Sequence, residues 1–197
     1  LRETGYPLLK SCAEFFVDYM VEDPKTGYLV TGPSISPENG YKLIDGDGTN
    51  YPAAMMPTID RFIVERIYTA VIEGSKVLGV DKKFRQRLEK DLKRMPPVTV
   101  GKDGLVKEWL MYDAERSDPS HRHSSHLVGL YPFGMISQTK TPELFEASKR
   151  SLAKQTSDPN WEDTEWSTGN MICFNAFLKD GSGSVRESLE MLRQERL

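Results

Sequence analysis

The stretch TIDRFIVERIYTAVIEGSKVLGVDKKFRQRLEKDLKRMPP, residues 58–97, decides the fold. Ile59, Ile63, Ile67, Ala70, Val71, Val77 and Leu78 recur at three- and four-residue intervals, which predicts an amphipathic helix over about 58–79, capped by Thr58 after Pro57. Gly79 ends it. Asp81 is placed to cap a second helix, with Phe84, Leu88 and Leu92 in register up to the stop at Pro96-Pro97. Two amphipathic helices with so short a connection make an antiparallel hairpin, and that hairpin is the expected unit of the fold.

The same pattern continues on both sides. Upstream, Leu8, Leu9, Cys12, Phe15, Phe16, Tyr19 and Met20 predict a helix over about 6–22, stopped by Asp23-Pro24-Lys25-Thr26-Gly27. Tyr28-Leu29-Val30 reads as a short extended piece. Downstream, Thr141-Pro142-Glu143 opens a helix to about Lys154, with cap, first-turn proline and acid in the favoured order. Another is expected near 166–179. After the turn Asp180-Gly181-Ser182-Gly183, Ser184 and Glu187 form a capping box for a last helix bearing Val185, Leu189 and Leu192. No strand-alternating segment of useful length occurs, so the fold class is all-α, helical hairpins joined by irregular loops.

Composition narrows the function. Hydrophobic residues at 38% and charged residues at 28% describe a globular chain with a real core. A net charge of −3 provides no basic footprint for nucleic acid or an anionic membrane. No apolar run approaches the roughly 20 residues that cross a bilayer. Cys12 and Cys173 are too few for a disulfide framework, read as buried thiols and leave the compartment open. The chain begins Leu1-Arg2-Glu3 and ends at Arg196-Leu197 inside a charged run, and both ends read as cut from something longer.

The unusual residues lie in the loops. Residues 31–57 are long, irregular and rich in Gly and Pro, which in a compact domain signals function or mobility. Within them Ser34-Ile35-Ser36-Pro37-Glu38-Asn39-Gly40 carries a lone glutamate on a backbone stiffened by Pro37. It reads either as a simple turn or as a fixed carboxylate. Asp45-Gly46-Asp47-Gly48 lacks the spaced oxygens and closing Glu of a calcium loop and reads as a polar turn. All three histidines fall in His121-Arg122-His123-Ser124-Ser125-His126. Three readings are open for them: zinc ligands, which Arg122 opposes; imidazoles bonded to backbone and serine; or a loop that holds the hydroxyls of a polar ligand. Trp161-Glu162-Asp163-Thr164-Glu165-Trp166 places acids between two indoles. These are either favourable charge at a helix start or a second carboxylate facing Glu38. Paired carboxylates beside aromatic faces suit glycoside hydrolysis, one donating a proton and the other preparing water, with burial near an apolar wall keeping the acid protonated.

Several motifs together resemble glycoside hydrolase family 95, the inverting α-L-fucosidases and some related α-L-galactosidases. They are Phe15-Phe16 with Glu22-Asp23-Pro24-Lys25-Thr26-Gly27-Tyr28-Leu29-Val30; Pro33 through Asn39; Thr58-Ile59-Asp60; Leu92 to Pro97 with Gly101-Lys102-Asp103-Gly104; His121 through Pro132; and Trp166-Ser167 with Asp180-Gly181. The resemblance implies part of an (α/α)6 toroid over residues 1–197, its pocket formed by loops at one end. It implies Glu38 as general acid, Arg122 and His123 as sugar-lining residues together with His121, Asn39, Trp161 and Trp166, and Asp163, with Glu162 as alternative, as the second catalytic acid. It implies a fucosylated oligosaccharide or glycan as substrate, no cofactor, no metal, and secretion if the full protein carries a signal peptide. The family's glycine before the second tryptophan is here Glu165, and its glycine after Tyr131-Pro132 is Phe133. The family also positions water through an Asn-x-Asn pair, and no such spacing occurs in residues 1–197. These residues alone are therefore expected not to turn over fucosides, and half a toroid is expected to self-associate through uncovered helix faces. The alternative is a non-catalytic helical module, a sugar-binding remnant or an interaction scaffold.

Overall fold

The computed structural model describes residues 1–193; the chain end at Arg196-Leu197 lies outside the described residues. Six α-helices run in order among them: α1 Gly5–Tyr19, α2 Thr58–Leu78, α3 Lys82–Arg94, α4 Pro142–Thr156, α5 Glu165–Phe177 and α6 Gly181–Arg193. Helices α1, α2 and α3 pack in sequence order, and α5 packs on α6. The hairpin read from residues 58–97 is therefore present, with Gly79 at φ 69° ending α2 in the left-handed conformation that glycine adopts freely.

The all-α expectation needs one addition. Val21–Glu22 (β1) pairs antiparallel with Leu29–Val30 (β2), and Tyr41–Leu43 (β3) pairs antiparallel with Ala114–Arg116 (β4). Strands of two or three residues carry no readable alternation, and β3 meets β4 across some seventy residues of chain, so the pairing is a tertiary fact. It is also a useful one, because it docks the loop before α2 against the loop after α3.

Capping differs from the sequence reading at four places. Thr58 lies inside α2, where its hydroxyl donates to Lys107 O at 2.5 Å and ties the helix start to a distant loop. The Asp81 carboxylate accepts from Tyr6 Oη and Lys10 Nζ, each at 3.0 Å, so it clamps α1 instead of capping α3. Thr141 bonds Ser137 instead of its own helix. Helix α6 begins at Gly181, with Asp180 Oδ1 accepting from Gly183 N at 2.8 Å, while Ser184 donates to Ile172 O in α5. For Thr58, Asp81 and Ser184 a partner outside the helix start outcompetes the local cap, and for Thr141 the preceding turn does. Cys12 and Cys173 are half-buried, less covered than expected.

Two main cores result. Tyr6, Ala13, Val64, Tyr68, Val71 and Leu88 fill the space among α1, α2 and α3. Phe62 points the other way, joining Leu127, Leu130, Phe145, Met171 and Phe174 from α4, α5 and the loop before them. Because α2 contacts both, its buried set is broader than one stripe, and Ile59, Ile63 and Ile67 are only half-buried. At Gly129 the backbone passes so close to α2 that a Cβ would stand 2.3 Å from the Phe62 ring. Glycine is what permits that approach. Leu8 and Phe15 of α1 and Val185, Leu189 and Leu192 of α6 stay exposed.

Candidate active site

Three loops meet at Glu38. The first is the turn Ser36–Asn39, closed by Asn39 N–H donating to Ser36 O at 3.1 Å. Pro37 takes the second position and Glu38 the third, with φ of 58°. A proline-second turn of this kind favours glycine third, and a side chain there costs roughly 1–2 kcal/mol. The stretch is thus both a turn and a fixed presentation of a carboxylate, and its two sequence readings describe one object. Buried Asn39 secures it from behind: its Nδ2 donates to Asp118 O at 2.9 Å, and its Oδ1 accepts from Asp118 N at 3.2 Å.

The second loop, which runs from β4 into a single 3-10 turn at Ser125–Leu127, brings the histidines. Arg122 Nη2 donates to Glu38 Oε2, and His123 Nε2 lies 3.0 Å from the same oxygen. His121 Nε2 stands 3.9 Å away. The His121 and His123 rings stack with centroids 5.1 Å apart. His121 Nδ1 accepts from His123 N at 3.1 Å, which leaves the proton of a neutral His121 on Nε2, towards Glu38. Burial holds the His121 pKa below its ordinary value and so favours that neutral form.

The third loop leads into α5. Glu162 Oε2 accepts from Arg122 N and from Arg122 Nη1, each at 3.1 Å. The Arg122 backbone N–H, with its guanidinium, holds the Glu162 carboxyl below the usual carboxylate range. Arg122 therefore bridges two carboxylates. Asp163 Oδ1 instead accepts from Thr168 Oγ1 at 2.6 Å, just before a capping box in which Thr164 and Ser167 start the helix. Trp166, 62% exposed, places its ring 6.3 Å from His123. Trp161 is half-buried against the second core.

The structure thus gathers Glu38, Arg122, His121 and His123, flanked by Trp166. Asn39 sits behind this group, Asp163 is held on the α5 side, and Trp161 packs inward. Glu38 does not lie against an apolar wall; its side chain is 57% exposed and lies beside a guanidinium and an imidazole. His126, the third histidine of the motif, points away into the interior beside Glu108. Among the described residues, no group of three or more His, Cys, Asp or Glu side chains is arranged to hold a metal ion.

The sequence model of the glycosyl hydrolase family 95 catalytic domain matches residues 1–196. The chain belongs to glycoside hydrolase family 95. It is 32% identical over 166 residues to alpha-L-fucosidase 2 of Arabidopsis thaliana, covering 83% of this chain and 19% of that protein. It is also 32% identical over 140 residues to a probable alpha-fucosidase A of Aspergillus niger, covering 69% and 17%. The matched region spans about a fifth of the length of these curated relatives.

Residues of this family 95 chain that sequence reasoning passed over hold the histidine loop in place. Gln155, at the end of α4, donates from Nε2 to His121 O at 2.5 Å and His123 O at 3.2 Å, and accepts from Ser124 Oγ at 2.8 Å. Arg116 Nη2 donates to His123 O at 2.7 Å. Glu108 is buried below both loops. A buried amide or acid needs partners, but a lone Gln near a helix end looks like surface in a sequence.

His126 carries a pH prediction. Burial pushes its pKa down to about 4, against the pull of the Glu108 carboxylate. The native chain keeps this imidazole neutral, whereas the unfolded chain protonates it near the ordinary value of 6.5. Its contribution is therefore complete above 6.5 and is lost as pH falls towards 4, by about 3 kcal/mol. Urea unfolding of the full protein between pH 4.5 and 7.5 is expected to show that loss, and His126→Asn to flatten the slope. An unchanged slope in the variant would assign the acid sensitivity to other groups.

Proposed function

We propose that this chain is a catalytic segment of an inverting exo-α-L-fucosidase that removes terminal α-L-fucosyl residues from oligosaccharides or glycans. The observation that carries the reading is the grip on Glu38. Arg122, His123 and His121 all approach Oε2, whereas Oε1 takes none of these contacts. A carboxyl held by one oxygen leaves the other open towards a leaving glycosidic oxygen, the place a general acid must occupy. Arg122 and His123 stand where sugar hydroxyls can exchange with these contacts, and Trp166 offers an apolar face beside them. Asp163 serves as the second catalytic acid, oriented by Thr168, with Glu162 as the alternative; Glu162 is otherwise the partner that aims Arg122. The names of the relatives support fucose as the sugar. The exposed apolar faces of α1 and α6 support packing against further helices of an (α/α)6 toroid, or self-association in their absence.

The test is hydrolysis by the full-length protein of a fucosylated oligosaccharide, followed by proton NMR from the first minute. The expected first product is β-fucose, formed by inversion. First release of α-fucose would overturn the inverting mechanism, and the absence of hydrolysis would overturn the enzymatic reading. Glu165, standing where the family has glycine, favours a second reading, a sugar-binding module without turnover, which fucose binding in the absence of hydrolysis would mark.

A further inference from the structure

Glu108 joins the two loops on which Glu38 and His123 sit, one oxygen to each. Its side chain is 5% exposed. Oε1 accepts from Ser36 Oγ at 2.5 Å, two residues before Glu38. Oε2 faces Arg116 Nε at 3.1 Å and His126 Nδ1 at 3.5 Å. Arg116 in turn donates to His123 O, and His126 lies three residues beyond His123. The backbone of Glu108 is itself fixed, its carbonyl accepting from Thr58 N at the start of α2 at 2.9 Å. One buried carboxylate, anchored to a core helix, therefore ties both halves of the Glu38 site to the same point.

The tie is not a simple stability device. Glu108 Oε2, Arg116 Nε and His126 Nδ1 are all buried, yet none makes an aligned hydrogen bond. They also border a cavity of about 400 Å³ whose lining includes none of Glu38, Arg122 or His123. Burying an Arg116–Glu108 ion pair and the His126 ring without aligned hydrogen bonds is costly, and a well-packed apolar cluster would serve folding better. Poorly satisfied polar groups of this kind gather where geometry matters more than stability.

We propose that Glu108 is a positioning residue for the reaction, setting the separation and orientation of Glu38 relative to His123 through Ser36 on one side and Arg116 on the other. The proposal rests on the reading of Glu38 as general acid. Misplacing a proton donor by about 1 Å costs on the order of 10²-fold in rate. The effect belongs to kcat, and only where proton donation limits the rate.

The experiment uses Glu108→Gln, which keeps shape and a Ser36 acceptor, and Ser36→Ala, which cuts only the acid-side link, both in the full-length protein. Each is expected to lower kcat on fucosyl glycans by about 10–100-fold, with KM changing less. Fucosyl fluoride, whose leaving group needs no proton, should be hydrolysed nearly normally. Neither variant should add to the loss in a Glu38→Gln background. Equal losses on both substrates, or additive losses with Glu38→Gln, would overturn the proposal by showing general damage to the fold. A second readout needs no turnover: the ring NMR signals of His123, 3.0 Å from Glu38, should move in both variants well below their melting temperatures. Unmoved signals would also overturn it. If the wild-type protein hydrolyses no fucoside, the reading of Glu38 falls, and the His123 signals alone decide whether Glu108 holds the loops together.

Discussion

Glu38→Gln is expected to lower hydrolysis of fucosylated glycans by about 10²–10⁴-fold while leaving fucosyl fluoride turnover within a small factor of wild type. The amide keeps an acceptor for Arg122 and His123, so the turn and the histidine loop stay in place, and only the transferable proton is lost. A sugar hydroxyl is a poor leaving group and departs as an alkoxide unless protonated; fluoride departs without help. The contrast between substrates, measured as kcat/KM on the full-length protein, is therefore the signature of a general acid. Equal losses on both would assign Glu38 to sugar binding or to holding its turn, where the positive φ already marks a constrained residue.

Arg122→Ala is expected to cost about 10–100-fold in kcat/KM, shared between binding and chemistry. Its guanidinium bonds Glu38 and Glu162 at once, so removal releases the Glu38 carboxyl and unlinks it from the loop that carries Glu162. Solvent screens both contacts at this exposed site, so the loss is one of positioning more than of binding energy. Arg122→Lys should recover part of the loss on Glu38 but not the fork that reaches both acids. His123→Ala should weaken sugar binding in the same direction. Chelators should change nothing in either variant or in wild type, since the loop presents a guanidinium at its centre. Activity lost in chelator and restored by zinc would instead make His121, His123 and Glu38 a metal site.

The same loops show how far the sequence could be read. Helix periodicity, Gly79 and the proline stops placed the hairpins because these signals are local: each depends on residues three or four apart. The cluster His121 to His126 was legible as polar chemistry but not as the partner of Glu38: zinc ligation, bonding to backbone and serine, and a hydroxyl-binding loop all fitted the same residues. The caps at Asp81 and Ser184 misled because a cap residue is free to bond a remote partner, and here both do. The face of α1 was read only in part: Leu9, Phe16 and Met20 pack into the first core, but Leu8 and Phe15 are exposed while Tyr6 and Ala13 are buried, because periodicity shows that a stripe exists without showing where its edges lie.

By itself the sequence determined a helical chain, its loop-borne polar residues and its kinship with family 95, all of which follow from residue types at short range or from motifs kept in order. Only the tertiary structure decided which residues meet: that Glu162 joins Glu38 on Arg122, that His126 turns inward to Glu108 while His123 turns to Glu38, and that β3 and β4 clasp the two loops together. Neighbouring residues of an irregular loop can point in any direction, and hydrogen bonds between residues forty to eighty-five positions apart leave no period in the chain. Contacts from Gln155, Arg116 and Asn39 fix those directions, so the site exists as chemistry in the sequence and as geometry only in the fold.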